Sequence, residues 1–132
     1  MTKLAPLKLA AAALTLAVMV SPAVAKKDDP RLSEWKATGE TEDCITPSSI
    51  RNTHVINDQT IDFEMLGGDV YRNTLPNKCP SLGFEKRFSY RTSISQLCSV
   101  DIITVLFTAG PGLQPGASCG LGKFQPMVKA PK

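Results

Sequence analysis

Four cysteines, Cys44, Cys79, Cys98 and Cys119, fall within residues 44–127 and constrain this chain more than any other feature. No two of them form a Cys-x-x-Cys motif, and the single histidine, His54, is near none of them in sequence. A metal site or a redox pair thus lacks its spacing. An even count in an exported chain reads as two structural disulfides. Each would close a long loop, worth roughly 3–5 kcal/mol in the chain-entropy picture. That is comparable to the whole net stability of a small domain. Four cysteines permit three pairings, and spacing does not choose between them.

Export is read from the N-terminus. Lys3 and Lys8 precede an apolar run, Leu9 to Val20, broken only by Thr15. Ser21-Pro22 ends the run, and Ala23-Val24-Ala25 offers small residues to a signal peptidase. Residues 1–25 are expected to be a signal peptide cut after Ala25, with an uncleaved anchor as the alternative. The twelve-residue run is too short for a bilayer core, which needs roughly 20 residues. No transmembrane segment is expected after cleavage. The first cysteine is Cys44, so lipid attachment through an N-terminal cysteine is excluded. The expected location is the periplasm or the extracellular space. Cleavage removes two bases and no acid, leaving 13 basic against 12 acidic side chains. A near-neutral chain gives no general case for nucleic acid as a partner.

Residues 26–43 are polar, with Trp35 the only aromatic, and read as a flexible lead-in with one helical turn. Residues 44–127 form the expected domain, and 128–132 a tail. Thr53–Ile56 is short and β-prone. After the turn signal Asn57-Asp58-Gln59, Thr60–Met65 alternates, with Ile61, Phe63 and Met65 on one face and Asp62 and Glu64 on the other. Gly67-Gly68-Asp69 turns the chain into a return strand, Val70–Leu75. Residues 79–84 are irregular and apolar enough to plug one end of a barrel. Phe88–Thr92 alternates, and Ile94–Cys98 extends or turns that strand. Ile102–Phe107 is continuously apolar or β-branched, the best candidate for a central buried strand. Gly110–Gly116 reads as a loop. A last strand is expected over Cys119–Gln125, where Gly120 and Gly122 permit a bulge or close approach. Together these predict an all-β fold, a small disulfide-stapled barrel or roll of five to seven short strands.

The segments Asp43-Cys44-Ile45, Thr60-Ile61-Asp62-Phe63, Tyr71–Pro76, Cys79-Pro80-Ser81-Leu82-Gly83-Phe84, Leu97-Cys98, Asp101–Val105 and Cys119–Gly122 resemble a family of small exported bacterial proteins, domain-of-unknown-function family 6491. The resemblance covers nearly all of residues 43–125. It implies a bacterial envelope protein and brings no catalytic or binding residue with it. Relatives with shorter motifs keep only the Cys-Pro cysteine and the late one. The resemblance thus implies Cys79–Cys119 and leaves Cys44–Cys98.

His54 is the one side chain with an ordinary pKa near neutrality. With Asp58, Asp62 or Glu64 as an orienting carboxylate it could serve as a general base. No nucleophile motif accompanies it, and a surface strand histidine is the expectation. Asp58, Asp62, Glu64 and Asp69 match no calcium-loop spacing and are expected to be solvated. Arg72, Lys78, Lys86, Arg87 and Arg91 form a basic cluster against Glu85 alone, while residues 28–43 hold six acids against Arg31 and Lys36. The acidic lead-in folds back onto that cluster, or the cluster meets an anionic partner such as lipid headgroups, phosphorylated glycan or an acidic protein. The simplest alternative is an ordinary mixed surface. Tyr71, Phe84, Phe88 and Tyr90 among these bases are expected in the core. The Gly110–Gly116 stretch lacks the ending of a phosphate loop and reads as a plain connection or a partner-contact loop. No catalytic residue, cofactor or metal ligand is expected. The sequence favours a non-enzymatic envelope protein acting as a binding or structural module; the alternative is a small envelope enzyme, or a regulator of one, using His54.

Overall fold

The computed structural model describes residues 12–14, 17, 28–92 and 94–131. The expected leader lies outside these residues except at 12–14 and 17. Among the described residues ten strands form: β1 (Trp35–Ala37), β2 (Cys44–Ile45), β3 (Ile50–Asn57), β4 (Thr60–Met65), β5 (Val70–Thr74), β6 (Phe88–Tyr90), β7 (Leu97–Cys98), β8 (Ile102–Ala109), β9 (Gly112–Gly120) and β10 (Phe124–Lys129). Two α-helical turns, α1 (Arg31–Glu34) and α2 (Leu82–Glu85), and one 3-10 turn at Pro47–Ser49 complete the set among the described residues. The strands make a five-stranded sheet β1-β10-β5-β4-β3, a three-stranded sheet β6-β8-β9 and a two-stranded ladder β2-β7. Every pairing is antiparallel. The fold is all-β as expected and takes the roll form of that expectation, three sheets and no closed barrel, but with ten strands among the described residues where five to seven were expected, because the lead-in and the glycine-rich stretch also pair.

The alternation in β4 sets the core. Ile61 and Phe63 are fully buried, as are Phe124 of β10, Ile103 of β8, and Leu75, Cys79, Leu82 and Leu97 from the connections and β7. Phe63 lies edge-on to Phe124 at 5.5 Å and to Phe88 at 6.2 Å, the geometry that the ring quadrupoles favour. The bridges are Cys44–Cys98, directly across β2 and β7, and Cys79–Cys119. This is the pairing that the resemblance implies. Asn73, fully buried, donates through Nδ2 to the Gly122 carbonyl at 2.7 Å and accepts from the Gly122 amide at 2.8 Å. A Cβ on Gly122 would run into the Thr74 carbonyl, so the close approach anticipated here needs glycine; Gly120 has open space.

Several expectations are corrected. Gly110–Gly116 is not a loop: β8 and β9 form one long hairpin, turned at Gly110-Pro111 with Ala109 opposite Gly112. Gly110 has φ 66°, the positive value that primed hairpin turns require. Pro115 is tolerated because β9 is an edge strand. The expected last strand divides between the end of β9 and the start of β10, and β10 runs into the expected tail as far as Lys129. Ile94–Cys98 does not extend β6; Leu97–Cys98 pairs with β2 instead.

The lead-in is not loose over its described part. Trp35, Lys36 and Ala37 pair with Lys129, Val128 and Met127, making β1 the edge of the large sheet. The helical turn expected in this segment is α1, which brings Arg31 to Asp62. Asp62 is fully buried rather than solvated. It accepts from Arg72 Nε at 2.7 Å, Arg72 Nη2 at 2.9 Å and Arg31 Nε at 3.3 Å. Arg72 Nη2 also donates to the Arg31 carbonyl at 3.0 Å. The Arg31 guanidinium sits 5.5 Å from the Trp35 ring centre and Lys129 Nζ sits 5.7 Å from it, both in cation–π range.

Removing a buried carboxylate strands two guanidinium groups, so Asp62→Ala should cost about 3–5 kcal/mol. Glu64→Ala, on the same strand face but part-exposed, should cost about 1 kcal/mol or less. Urea midpoints of the oxidised variants check both.

Candidate binding face

The three-stranded sheet has a buried and an open side. Ile103 and Val105 of β8 enter the core, and Phe88 and Tyr90 of β6 pack against it. Alternation then turns Ile102, Thr104, Leu106 and Thr108 outward, with Ser89 and the flanking Arg87 and Arg91. Register adds Ser118 opposite Thr104, Pro115 opposite Leu106 and Leu113 opposite Thr108. Thr104 and Ser118 hydroxyls are 3.0 Å apart on this surface, and Arg87 Nη1 donates to Thr108 Oγ1 at 2.9 Å. Ile102 is 56% exposed, Leu113 52%, and Val100, just before β8, 85%. A shallow cleft of about 360 Å³ lies between Arg91, Val100, Ile102 and Thr104. Asp101 also lines it, but its Oδ2 accepts from the Cys98 amide at 2.7 Å.

From Ile102 to Gly122 the chain has no Asp, Glu, Lys or Arg. Phe88–Tyr90 has none either. The sheet face is uncharged, with arginines at both ends of β6. A water-facing sheet ordinarily carries charge on its exposed positions and edge strand. The expectation that Ile102–Phe107 is a central buried strand is half met. β8 is central in its sheet, but only one of its faces is covered.

The basic cluster is not one patch. Arg72 is held by Asp62. Lys78 lines a cleft beside the β3–β4 turn, and Lys86 lines another together with Asp28 and Asp29 of the lead-in. Arg87 and Arg91 alone stand on the open sheet face. Among the aromatics, Tyr71, Phe88 and Tyr90 pack on the core. Phe84 does not; it is 85% exposed on α2.

The other candidates resolve into structure. His54 Nε2 lies 3.2 Å from Glu64 Oε2, both part-exposed, and Arg51 reaches the other Glu64 oxygen at 3.9 Å. The orienting carboxylate is present, and it is Glu64 rather than Asp62. Asp58 Oδ1 accepts from the Gly83 amide at 2.7 Å and fixes α2. Among the described residues no group of three or more His, Cys, Asp or Glu side chains could hold a metal ion. Sequence reasoning missed a polar cleft of about 460 Å³ at the β4–β5 turn, where Tyr71 meets Glu42 and Asp69. Burial, then the negative charges of Glu42 and Asp69, raise the Tyr71 pKa.

No family model, no curated protein and no solved structure matches this chain. The chemistry of the open face is read from its own side chains: apolar contacts, hydroxyls and two guanidinium groups suited to an oxyanion.

The Tyr71 phenol ionises less readily in the fold than in the unfolded chain, where its pKa is about 10. Its contribution to stability is complete below that value and is lost as pH rises through the higher folded value. The wild-type stability should fall more steeply above about pH 10 than that of Tyr71→Phe. Urea titrations of both proteins across that range check it.

Proposed function

We propose that this chain is an exported, non-enzymatic binding module of the bacterial envelope, and that it engages an anionic partner on the outer face of β6-β8-β9. The observation that carries the reading is an exposed sheet face free of charge along its strands and flanked by Arg87 and Arg91. The tripartite leader over 1–25 and two bridges suited to an oxidising compartment support export. The resemblance to family 6491 supports the envelope. His54 has an orienting carboxylate in Glu64, but no nucleophile motif accompanies the pair, so the reading without catalysis is preferred.

A titration of the oxidised protein with soluble polyphosphate, followed by amide chemical shifts, tests the reading. Shifts are expected at Arg87–Arg91 and Val100–Ser118, and should weaken as salt screens the arginines. Shifts centred on His54 and Glu64, or no shifts at all, would overturn it.

A further inference from the structure

We infer that the anionic partner is a lipid surface, against which the outer face of the three-stranded sheet lies flat. This inference rests on the binding face proposed above. Three observations favour a bilayer over other anions. The cleft on this face is shallow and open rather than enclosed, and small anionic ligands are usually held in concave sites. Its exposed side chains Val100, Ile102 and Leu113 are aliphatic, so they gain by leaving water, which a soluble polyanion does not provide. Its cations stand at the two ends of β6, where they can meet headgroup phosphates; the strands between carry no acid, and Asp101, which shares the cleft with Arg91, accepts from the Cys98 amide.

The hairpin supplies the reach. β6 pairs with β8 only as far as Val105, whereas β8 and β9 continue to Ala109 and Gly112. The residues beyond that pairing form a two-stranded arm with Leu113 next to its turn. Aliphatic groups on the arm and at Ile102 would enter the headgroup region while Arg87 and Arg91 hold phosphate. The Arg87 bond to Thr108 Oγ1 keeps that guanidinium on the outer face.

Co-sedimentation of the oxidised protein with vesicles is the test. Vesicles of phosphatidylcholine containing phosphatidylglycerol should bind it, and vesicles of phosphatidylcholine alone should not. Arg87→Gln with Arg91→Gln should weaken binding roughly 30-fold. Ile102→Ser with Leu113→Ser should weaken it further without lowering the thermal midpoint by more than a few degrees, since both side chains are over half exposed. Failure to bind phosphatidylglycerol vesicles, with polyphosphate shifts still on this face, overturns the lipid assignment and leaves the binding face standing. Failure of both experiments overturns both. Vesicle binding that ignores all four substitutions overturns the placement on this face. A concentration-dependent dimer abolished by Ile102→Ser and Leu113→Ser would make a second copy the occupant and overturn the lipid inference.

Discussion

A carboxylate with no exposure to water, Asp62, governs how the large sheet is finished. Burying a lone carboxylate costs several kcal/mol, and the cost is offset only if its oxygens are well bonded. Arg72 supplies two of those bonds from the neighbouring strand. Arg31 supplies the third from a turn that precedes the sheet altogether. Because Arg72 also holds the Arg31 carbonyl, the N-terminal segment is bonded through backbone and side chain at one point. Trp35 and the pairing of β1 with β10 follow from that placement.

The two larger sheets meet one problem in opposite ways. Each buries one face in the shared core and must do something with the other. The five-stranded sheet places Val70 and Met127, opposite each other and both buried, beside the Asp62 cluster. The three-stranded sheet leaves its second face open and uncharged. Neither the exposure of Ile102 and Leu113 nor the absence of acids is required by packing, since polar side chains at those positions would leave the core untouched. The open face is a part of the molecule that stability alone does not explain.

Much of this was legible in the chain, and the failures have physical causes. The β4 alternation located the core face, because Ile61, Phe63 and Met65 recur at period two. The same alternation gave Asp62 the wrong environment. An aspartate buried between two arginines looks like a solvated one when its partners lie 31 and 10 residues away. Gly110–Gly116 was misjudged because glycine and proline weaken strands on average, yet an edge strand tolerates both. The apolar run of β8 reads as a central buried strand, and β8 is indeed central in its sheet, with an inward and an outward face. Sequence could not show that only one of them is covered. The open face itself left a signal in the missing charges between Ile102 and Gly122, and the arginines at its ends were already among the basic residues singled out.

The order β1-β10-β5-β4-β3 also dictates a sequence of events. β1 has one strand neighbour, β10, and Trp35 pairs with Lys129 across 94 positions of chain. A contact that distant is entropically slow to form and cannot form until the last strand has been delivered. The β3–β4–β5 meander and the β8–β9 hairpin need only local turns and can assemble beforehand. A chain threaded through a membrane from its N-terminus would therefore emerge with its first strand unable to pair, and would complete its largest sheet only once β10 had followed.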